Sequence, residues 1–307
     1  TIKDVFTFDH QGRPLTQVKT INNQTPELIV NNHYDELGNL ENKRVGGQVN
    51  TLPENSFGLQ KIDFTYNIRG WLKSINTINQ SNSGRYVSYF LDEDDLFAYK
   101  VNYYQSTYSG FSKQLFNGNI REVNWISKND NKLRTYTYQY DNLNRIKNAS
   151  YYQKNSLFDP YPISYNINYT LHEVNYDKNG NIIDLERSGY FINSDNTSDF
   201  GTIDQLNYTY DSESNRLISV DDLSNIDEGF KDDEDDFSLI NDYSYDNNGN
   251  LIKDLNKKIN NIEYNLLNLP VKITFDNSSI FMEAGLDQIT YIYDALGNKL
   301  RKNIINY

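Results

Sequence analysis

Apolar and polar residues alternate with a period of two along much of the chain. In Tyr136-Thr137-Tyr138-Gln139-Tyr140 the tyrosines fall on one face and Thr137 and Gln139 on the other. Leu206-Asn207-Tyr208-Thr209-Tyr210 and Ile289-Thr290-Tyr291-Ile292-Tyr293 follow the same pattern. Successive side chains of a strand point to opposite faces of a sheet, so this alternation predicts half-buried β-strands. The 3.6-residue period of an amphipathic helix is weak throughout, and no helix is predicted. The expected fold class is all-β.

The strands are punctuated by one recurring unit: an aromatic, Asp or Asn, two or three variable residues, Gly or Asn, a polar residue and an aliphatic. It reads Phe8-Asp9-His10-Gln11-Gly12-Arg13, Tyr34-Asp35-Glu36-Leu37-Gly38-Asn39-Leu40 and Tyr66-Asn67-Ile68-Arg69-Gly70-Trp71-Leu72. It continues as Tyr140-Asp141-Asn142-Leu143-Asn144-Arg145-Ile146, Tyr176-Asp177-Lys178-Asn179-Gly180-Asn181-Ile182 and, one residue longer, Tyr210-Asp211 through Asn215-Arg216-Leu217. Tyr245-Asp246-Asn247-Asn248-Gly249-Asn250-Leu251, Tyr264-Asn265-Leu266-Leu267-Asn268-Leu269 and Tyr293-Asp294-Ala295-Leu296-Gly297-Asn298 complete the series, with a weaker copy at Phe116-Asn117-Gly118-Asn119-Ile120. From Tyr140 onward the spacings are 36, 34, 35, 19 and 29 residues, a loose period. Asp at the first turn position accepts backbone N–H bonds, and Gly or Asn three residues on takes the left-handed conformation. Each copy therefore predicts a hairpin loop of three to five residues with a bulge at the glycine. A lone hairpin is marginal in water, so the copies are expected to pair into one repetitive sheet spanning residues 1–307 as a single array. The polar stretches Asn193–Gly201, Asp221–Asp236, Gly46–Asn55 and Gln80–Gly84 are read as loops that break it.

Composition sharpens this reading. Aromatics make up 14% of the chain and tyrosines number 26, a content no disordered chain carries. The net charge of −13 argues against nucleic acid as a partner and against a polybasic hold on a membrane. No apolar run has the roughly 18 residues a spanning helix requires, and there is no cysteine for a disulfide or thiolate metal site. The chain opens Thr1-Ile2-Lys3-Asp4 without a secretory leader, so any export signal was removed or lies upstream.

The copies resemble the RHS/YD repeat family, whose signature is Tyr-Asp-x-x-Gly-Arg/Asn-Leu followed by an alternating strand, and the likeness runs from Phe8 to Leu300. Tyr66 through Asn76, Tyr140 through Arg145, Tyr264 through Pro270 and Tyr293 through Lys302 are similar to segments of RHS proteins from Bacteroidetes. The resemblance implies antiparallel hairpins wound into a spiral, solenoid-like sheet forming part or all of a hollow shell. Such a shell encapsulates a C-terminal toxin or effector for secretion and delivery in interbacterial competition. It implies a secreted or cell-surface location, an enclosed polypeptide partner, a secretion-system component as a further partner, and a type IX export route. Family members also carry an N-terminal plug or anchor and a conserved core, often with a self-cleaving aspartate site, ahead of the variable C-terminal domain. No position here inherits those parts, and the chain is read as a fragment or processed piece of a larger protein. The alternative reading is an adhesin or carbohydrate-binding module with a glycan partner.

No catalytic, cofactor or metal residue is assigned, and the chain is read as non-enzymatic. Imidazole chemistry is limited to His10, His33 and His172. His10 lies in a turn copy, His33 precedes Tyr34, and the His172-Glu173-Val174-Asn175-Tyr176 segment lacks the second histidine of a zinc helix. A Ser-His-Asp triad needs no sequence proximity, so spacing does not decide it. Asp177-Lys178-Asn179-Gly180-Asn181 looks like the start of a calcium loop. Its glycine falls at the fourth rather than the sixth position, and no glutamate follows at the twelfth. Asp232–Asp236, a candidate calcium site, and Asp92–Asp95 are read as solvated acidic loops. With 42 acidic residues, paired carboxylates for glycoside hydrolysis arise by chance. The tyrosines at strand spacing, Trp71 and Trp125 are read as packing groups rather than a sugar platform.

Overall fold

The computed structural model describes residues 1–49, 58–83, 86–104, 106, 114–154, 168–224, 226–232, 241–276 and 286–306. Among them every regular element is a strand, and no helix occurs. The chain divides into two compact units, Thr1–Ile167 and Asn168–Tyr307. No helix is long and apolar enough to cross a membrane.

Unit 1 begins with β1 (Ile2–Phe8), β2 (Pro14–Ile21), β3 (Glu27–Tyr34), β4 (Leu40–Val45), β5 (Gln60–Tyr66) and β6 (Leu72–Ile75), each antiparallel to the next. A two-stranded ribbon follows, β7 (Asn79–Ser83) with β8 (Tyr86–Phe90). The sheet resumes with β9 (Phe97–Asn102) on β6, then β10 (Glu122–Ser127), β11 (Leu133–Tyr140) and β12 (Ile146–Lys154). Its apolar core includes Val18, Leu28, Ala98, Val101, Val123 and Ile126. In unit 2, β13 (Leu171–Tyr176), β14 (Ile182–Ile192), β15 (Ser198–Tyr210) and β16 (Leu217–Asp222) form an antiparallel series. A second series comprises β17 (Tyr243–Tyr245), β18 (Leu251–Asp254), β19 (Ile259–Tyr264), β20 (Pro270–Phe275), β21 (Leu286–Tyr293) and β22 (Lys299–Asn306). Val174, Ile203, Leu206, Val220, Ile262 and Ile289 are its buried apolar side chains.

Every repeat copy closes a hairpin, and one set of bonds recurs. At Asp141 the backbone N–H donates to the Arg145 carbonyl at 2.9 Å, and the Asn144 N–H donates back to the Asp141 carbonyl at 3.1 Å. The Asp141 Oδ1 accepts from the N–H groups of Leu143 and Arg145, and its Oδ2 from Arg145 Nε. The same bonds are made by Asp35 with Asn39, Asp177 with Asn181, Asp246 with Asn250 and Asp294 with Asn298. This is the expected hairpin turn with a left-handed fourth residue, where Gly38 has φ 88° and Asn144 φ 64°. A second bulge, which the pattern did not announce, follows each turn: Tyr34 pairs with Leu40 but His33 with Asn42, leaving Glu41 over. Lys147, Ile183, Ile252 and Leu300 are left over in the same way. Bulges add right-handed twist, so the repeat builds twist into every hairpin.

The repeat tyrosine stitches one hairpin to the preceding one. Its hydroxyl donates to the carbonyl just past the preceding turn: Tyr34 to Pro14, Tyr66 to Leu40 and Tyr140 to Ile120 in unit 1, and Tyr245 to Leu217, Tyr264 to Leu251 and Tyr293 to Pro270 in unit 2. Tyr103, which no Asp follows, does the same to Leu72 and so serves as the tyrosine of the weak copy at Asn117-Gly118. Tyr66→Phe removes one such bond while keeping the ring. It is expected to lower the stability of unit 1 by about 1 kcal/mol in urea titrations, with no change in strand content by circular dichroism.

Parts of two predicted loops are strands. Asn193–Thr197 is a tight turn with Asn196 left-handed at φ 63°, and Ser198–Gly201 belong to β15, paired with β14. Gln80–Ser83 lie in β7, because backbone pairing with β8 outweighs their polar side chains; Gly84 lies outside the described residues. So do residues 50–55 of the Gly46–Asn55 loop, whereas Gln48 forms an isolated bridge with Glu27. Of Asp221–Asp236, Asp221 and Asp222 end β16, and residues 225 and 233–236 are outside the description.

Candidate functional site

A repetitive sheet offers its two faces to any partner, and across β9–β12 both carry packed side chains. The register places Asn102, Glu122 and Thr137 side by side, with Lys100, Asn124 and Thr135 in the next row. Glu122 and Thr135 are 0% exposed and Asn124 3%. Glu122 Oε1 accepts from Asn102 Nδ2 at 2.9 Å and Asn124 Nδ2 at 2.7 Å, and its Oε2 from Ser106 Oγ. Asn124 Oδ1 in turn accepts from Thr135 Oγ1 at 2.7 Å. The threonines opposite the tyrosines of β11 are thus buried, Thr135 the most deeply of any side chain on the strand. Ribbon residue Tyr89 lies on this face: burial raises its phenol pKa first, the Glu122 charge adds to it, and Lys154 sits 5.4 Å from its ring. The other face carries Val101, Val123 and an aromatic cluster in which Tyr136 lies 5.9 Å from Trp125 and 5.2 Å from Tyr151. Arg121, 2% exposed, donates Nη1 to the Tyr138 carbonyl, and burial lowers its pKa while Glu122 works against that. With both oxygens engaged by three donors and no exposure to solvent, Glu122 fixes strand register.

Trp71 packs on one side of its ring and remains 36% exposed. Its ring centroid is 5.3 Å from that of Tyr103, and a Cβ on Gly118 would come within 2.7 Å of it, which explains that glycine. Asparagines link neighbouring turns: Asn144 Oδ1 accepts from Asn117 and Asn119, Asn215 Oδ1 from Asn179 and Asn181, and Asn268 Oδ1 from Asn248 and Asn250. Asn144 and Asn268, at the fourth position with φ 64° and 56°, are acceptors as well as glycine substitutes, whereas Asn215 stands one place later in its longer copy.

Unit 2 buries carboxylates within β15 and at the ends of other strands, where they hold backbone. Asp204, 2% exposed, accepts from the Phe230 N–H and pairs with Arg187; Asp222, 3% exposed, accepts from the N–H groups of Gln205 and Ser224. Asp242 accepts from the Val220 N–H at 2.7 Å and Asn256 Nδ2 at 3.0 Å. Burial pushes its pKa up, helped by the charges of Asp232 and Asp221. Asp232 itself accepts from the Asp222 N–H at 3.0 Å, and the remainder of the Asp232–Asp236 calcium reading falls on undescribed residues. Among the described residues, no cluster of three or more metal-ligating side chains forms. The Asp177 carboxylate is occupied by its own turn, as the hairpin reading expects.

His10 and His33 are exposed. His172 Nε2 meets Ser188 Oγ at 2.6 Å across β13 and β14, a contact no spacing signalled, but Ser188 is 3% exposed and has no access to a substrate carbonyl.

The turn carboxylates set an acid limit. Hydrogen bonds from the Asn39 side chain hold Asp35 below its ordinary pKa, those from the Arg145 backbone hold Asp141, and Asn250 and Asn298 do the same for Asp246 and Asp294. A depressed folded-state pKa stabilises above the unfolded value and is lost as pH falls through the folded one. Asp95, Asp221 and Asp242, raised mainly by burial, act in the opposite sense. The depressed turn carboxylates outnumber these three, so urea midpoints are expected to be flat from about pH 6 to 5 and to fall below about pH 4. Asp141→Asn with Asp246→Asn should flatten that acid limb; an unchanged limb would assign it to other groups.

No family model and no curated protein matches the chain. Among solved structures it is similar to the crystal structure of TcdB2-TccC3-Cdc42, at TM-score 0.39 and 10% identity over 97% of this chain and 12% of that one. TcdB2-TccC3-TEV gives TM-score 0.37 and 10% identity over 97% and 12%. TcdB2-TccC3 without hypervariable C-terminal region gives 0.22 and 12% identity over 99% and 17%. The chain therefore spans less than a fifth of the length of the chains it matches.

Proposed function

We propose that this chain is a non-enzymatic wall segment of an RHS-type shell, which holds an effector polypeptide away from solvent and from the producing cell. The observation that supports this is the use made of the repeated residues. The repeat tyrosine hydroxyls stitch hairpin to hairpin, and the repeat carboxylates close their own turns. A sugar platform would instead leave tyrosines and acids directed at a ligand. Mechanism in this reading is steric: a twisted sheet separates two compartments, and its net charge of −13 favours a basic cargo over an acidic one. The secreted or cell-surface location and the effector partner belong to this proposal. Intact-mass analysis and peptide mapping of the protein purified from its native source test it. A second polypeptide that co-purifies under native conditions and resists added protease is expected. A protein with nothing enclosed, showing saturable glycan binding that Tyr→Ala changes abolish, would replace the wall with the adhesin.

A further inference from the structure

Strand β22 leaves one edge of the unit 2 sheet open: among the described residues it pairs with β21 alone. Neighbouring hairpins elsewhere show what such an edge receives, because they join in one way. The carbonyl just past a turn accepts the hydroxyl of the next tyrosine, as Pro14, Leu40, Leu72, Ile120 and Pro270 do from Tyr34, Tyr66, Tyr103, Tyr140 and Tyr293. At all five junctions the residue two places past that carbonyl pairs with the residue three places before the tyrosine. The pairs are Thr16 with Asn31, Asn42 with Asp63, Ser74 with Lys100, Glu122 with Thr137 and Lys272 with Thr290. One register thus joins strands whose paired residues differ in size and charge.

After the last turn, Asp294–Asn298, the same register makes Lys299 the accepting carbonyl and Arg301 the paired residue. Among the described residues no tyrosine hydroxyl takes the Lys299 carbonyl, and neither Arg301 nor Lys302 has an ion-pair partner. Lys299–Lys302 are exposed, Leu300 at 66%, and Ile304 beyond them at 56%. Three cations thus stand on one strand edge in a chain of net charge −13. The edge strand of unit 1, β1, is different. Its repeat copy has Phe8 where the later ones have tyrosine, and that ring has no hydroxyl to donate.

We propose that the open edge of β22 binds an antiparallel polypeptide strand carrying a tyrosine with an acidic residue three places before it. The tyrosine hydroxyl donates to the Lys299 carbonyl, and the acid stands opposite Arg301. Strand addition draws its affinity from main-chain hydrogen bonds and its selectivity from side chains at fixed positions, and opposite charges facing each other stabilise an antiparallel pair. A strand of this repeat is favoured over an arbitrary one because the junctions fix both contacts. A second copy presenting β1 fits poorly: Phe8 lacks the donor, and Val5 stands where the acid belongs. The inference rests on strand register rather than on what the sheet encloses, so it stands or falls apart from the wall reading.

The test is titration of isotope-labelled protein with an acetylated and amidated hairpin peptide copying Gln60–Ile75, in which Asp63 stands three places before Tyr66, followed by NMR. Saturable amide shifts along Lys299–Ile305, with none at β1, are expected. The peptide carrying Tyr66→Phe should bind about threefold to tenfold more weakly, the worth of one hydrogen bond. Asp63→Lys in the peptide should also weaken binding, and Arg301→Glu in the protein should restore that peptide while weakening the parent one. No saturable shift at about 1 mM peptide would mean that the cations guard the edge against pairing, and would overturn the proposal. Equal binding of the phenylalanine peptide or shifts centred on β1 would do the same. So would shifts of β22 that grow with protein concentration in the absence of peptide, which would give the edge to a second copy.

Discussion

Glu122→Ala is expected to destabilise unit 1 by about 3 kcal/mol, the largest single loss available on its sheet. The substitution takes the acceptor from the Asn102 and Asn124 amides and the Ser106 hydroxyl, at a position with 0% exposure. Removing a buried charge returns some desolvation energy, yet the donors stay buried with it gone, and unsatisfied buried donors cost about 1–3 kcal/mol apiece. The loss should pass to β11, since Asn124 also positions Thr135. Glu122→Gln keeps one acceptor oxygen but points an amide at amides, so it should fall between wild type and Ala. Urea titration gives the free energies, and amide exchange across β9–β12 locates them. An unchanged midpoint for Glu122→Ala would mean that the buried polar row contributes nothing net to the sheet.

Glu122 also marks where sequence reading stops. The hairpin unit was legible because its chemistry is local: Asp141, Asn144 and Arg145 make their bonds within five residues of each other, and the left-handed position demands Gly or Asn. Alternation likewise located β11 and the end of β15. What alternation did not give is which face is buried more deeply. Thr135 and Thr137 look like a solvent face beside the tyrosines, but strands β9 and β10 bring Asn102, Glu122 and Asn124 alongside, and these satisfy one another out of water. That depends on cross-strand partners drawn from more than thirty residues of chain, which no local pattern encodes. Tyr103 was missed for a related reason. The segment before Asn117 separates it from its turn, and only its bond to Leu72 shows its place in the series. Ser198–Gly201 were assigned to a loop on composition, although the turn before them, with Asn196 left-handed, uses the same chemistry as the repeat. The calcium readings came from carboxylate-rich spelling alone; Asp177 and Asp232 use those oxygens on backbone N–H groups. The wall reading rests on this division: repeat residues hold the sheet together, and the segments between them vary.

Gly229→Ala is expected to be the most damaging substitution in unit 2, for a steric reason the sequence conceals. Gly229 lacks the positive φ of the turn glycines, and a Cβ there would lie 2.0 Å from the Ile203 carbonyl oxygen and 2.7 Å from Asp204 Oδ1. The first neighbour is backbone in the long strand β15, already accepting from Ser224 Oγ at 2.7 Å, so it has little room to yield. The residues 226–232 must move instead. Their contacts would go with them: the Phe230 N–H on Asp204 and the Glu228 carboxylate on the Ile192 N–H. Asp204, 2% exposed, would be left with the Arg187 pair alone, a carboxylate still out of water with fewer donors. A loss of about 2–3 kcal/mol is expected, with faster amide exchange at Phe230 and along β15. Gly201→Ala provides the contrast, because its Cβ would meet the Phe191 ring edge at 3.2 Å, a side chain able to turn aside. That variant should lose under about 1 kcal/mol, within the range of a tolerated repacking. If the two glycines prove equally tolerant of Ala, residues 226–232 do not rest on β15, and the buried Asp204 is held by other means.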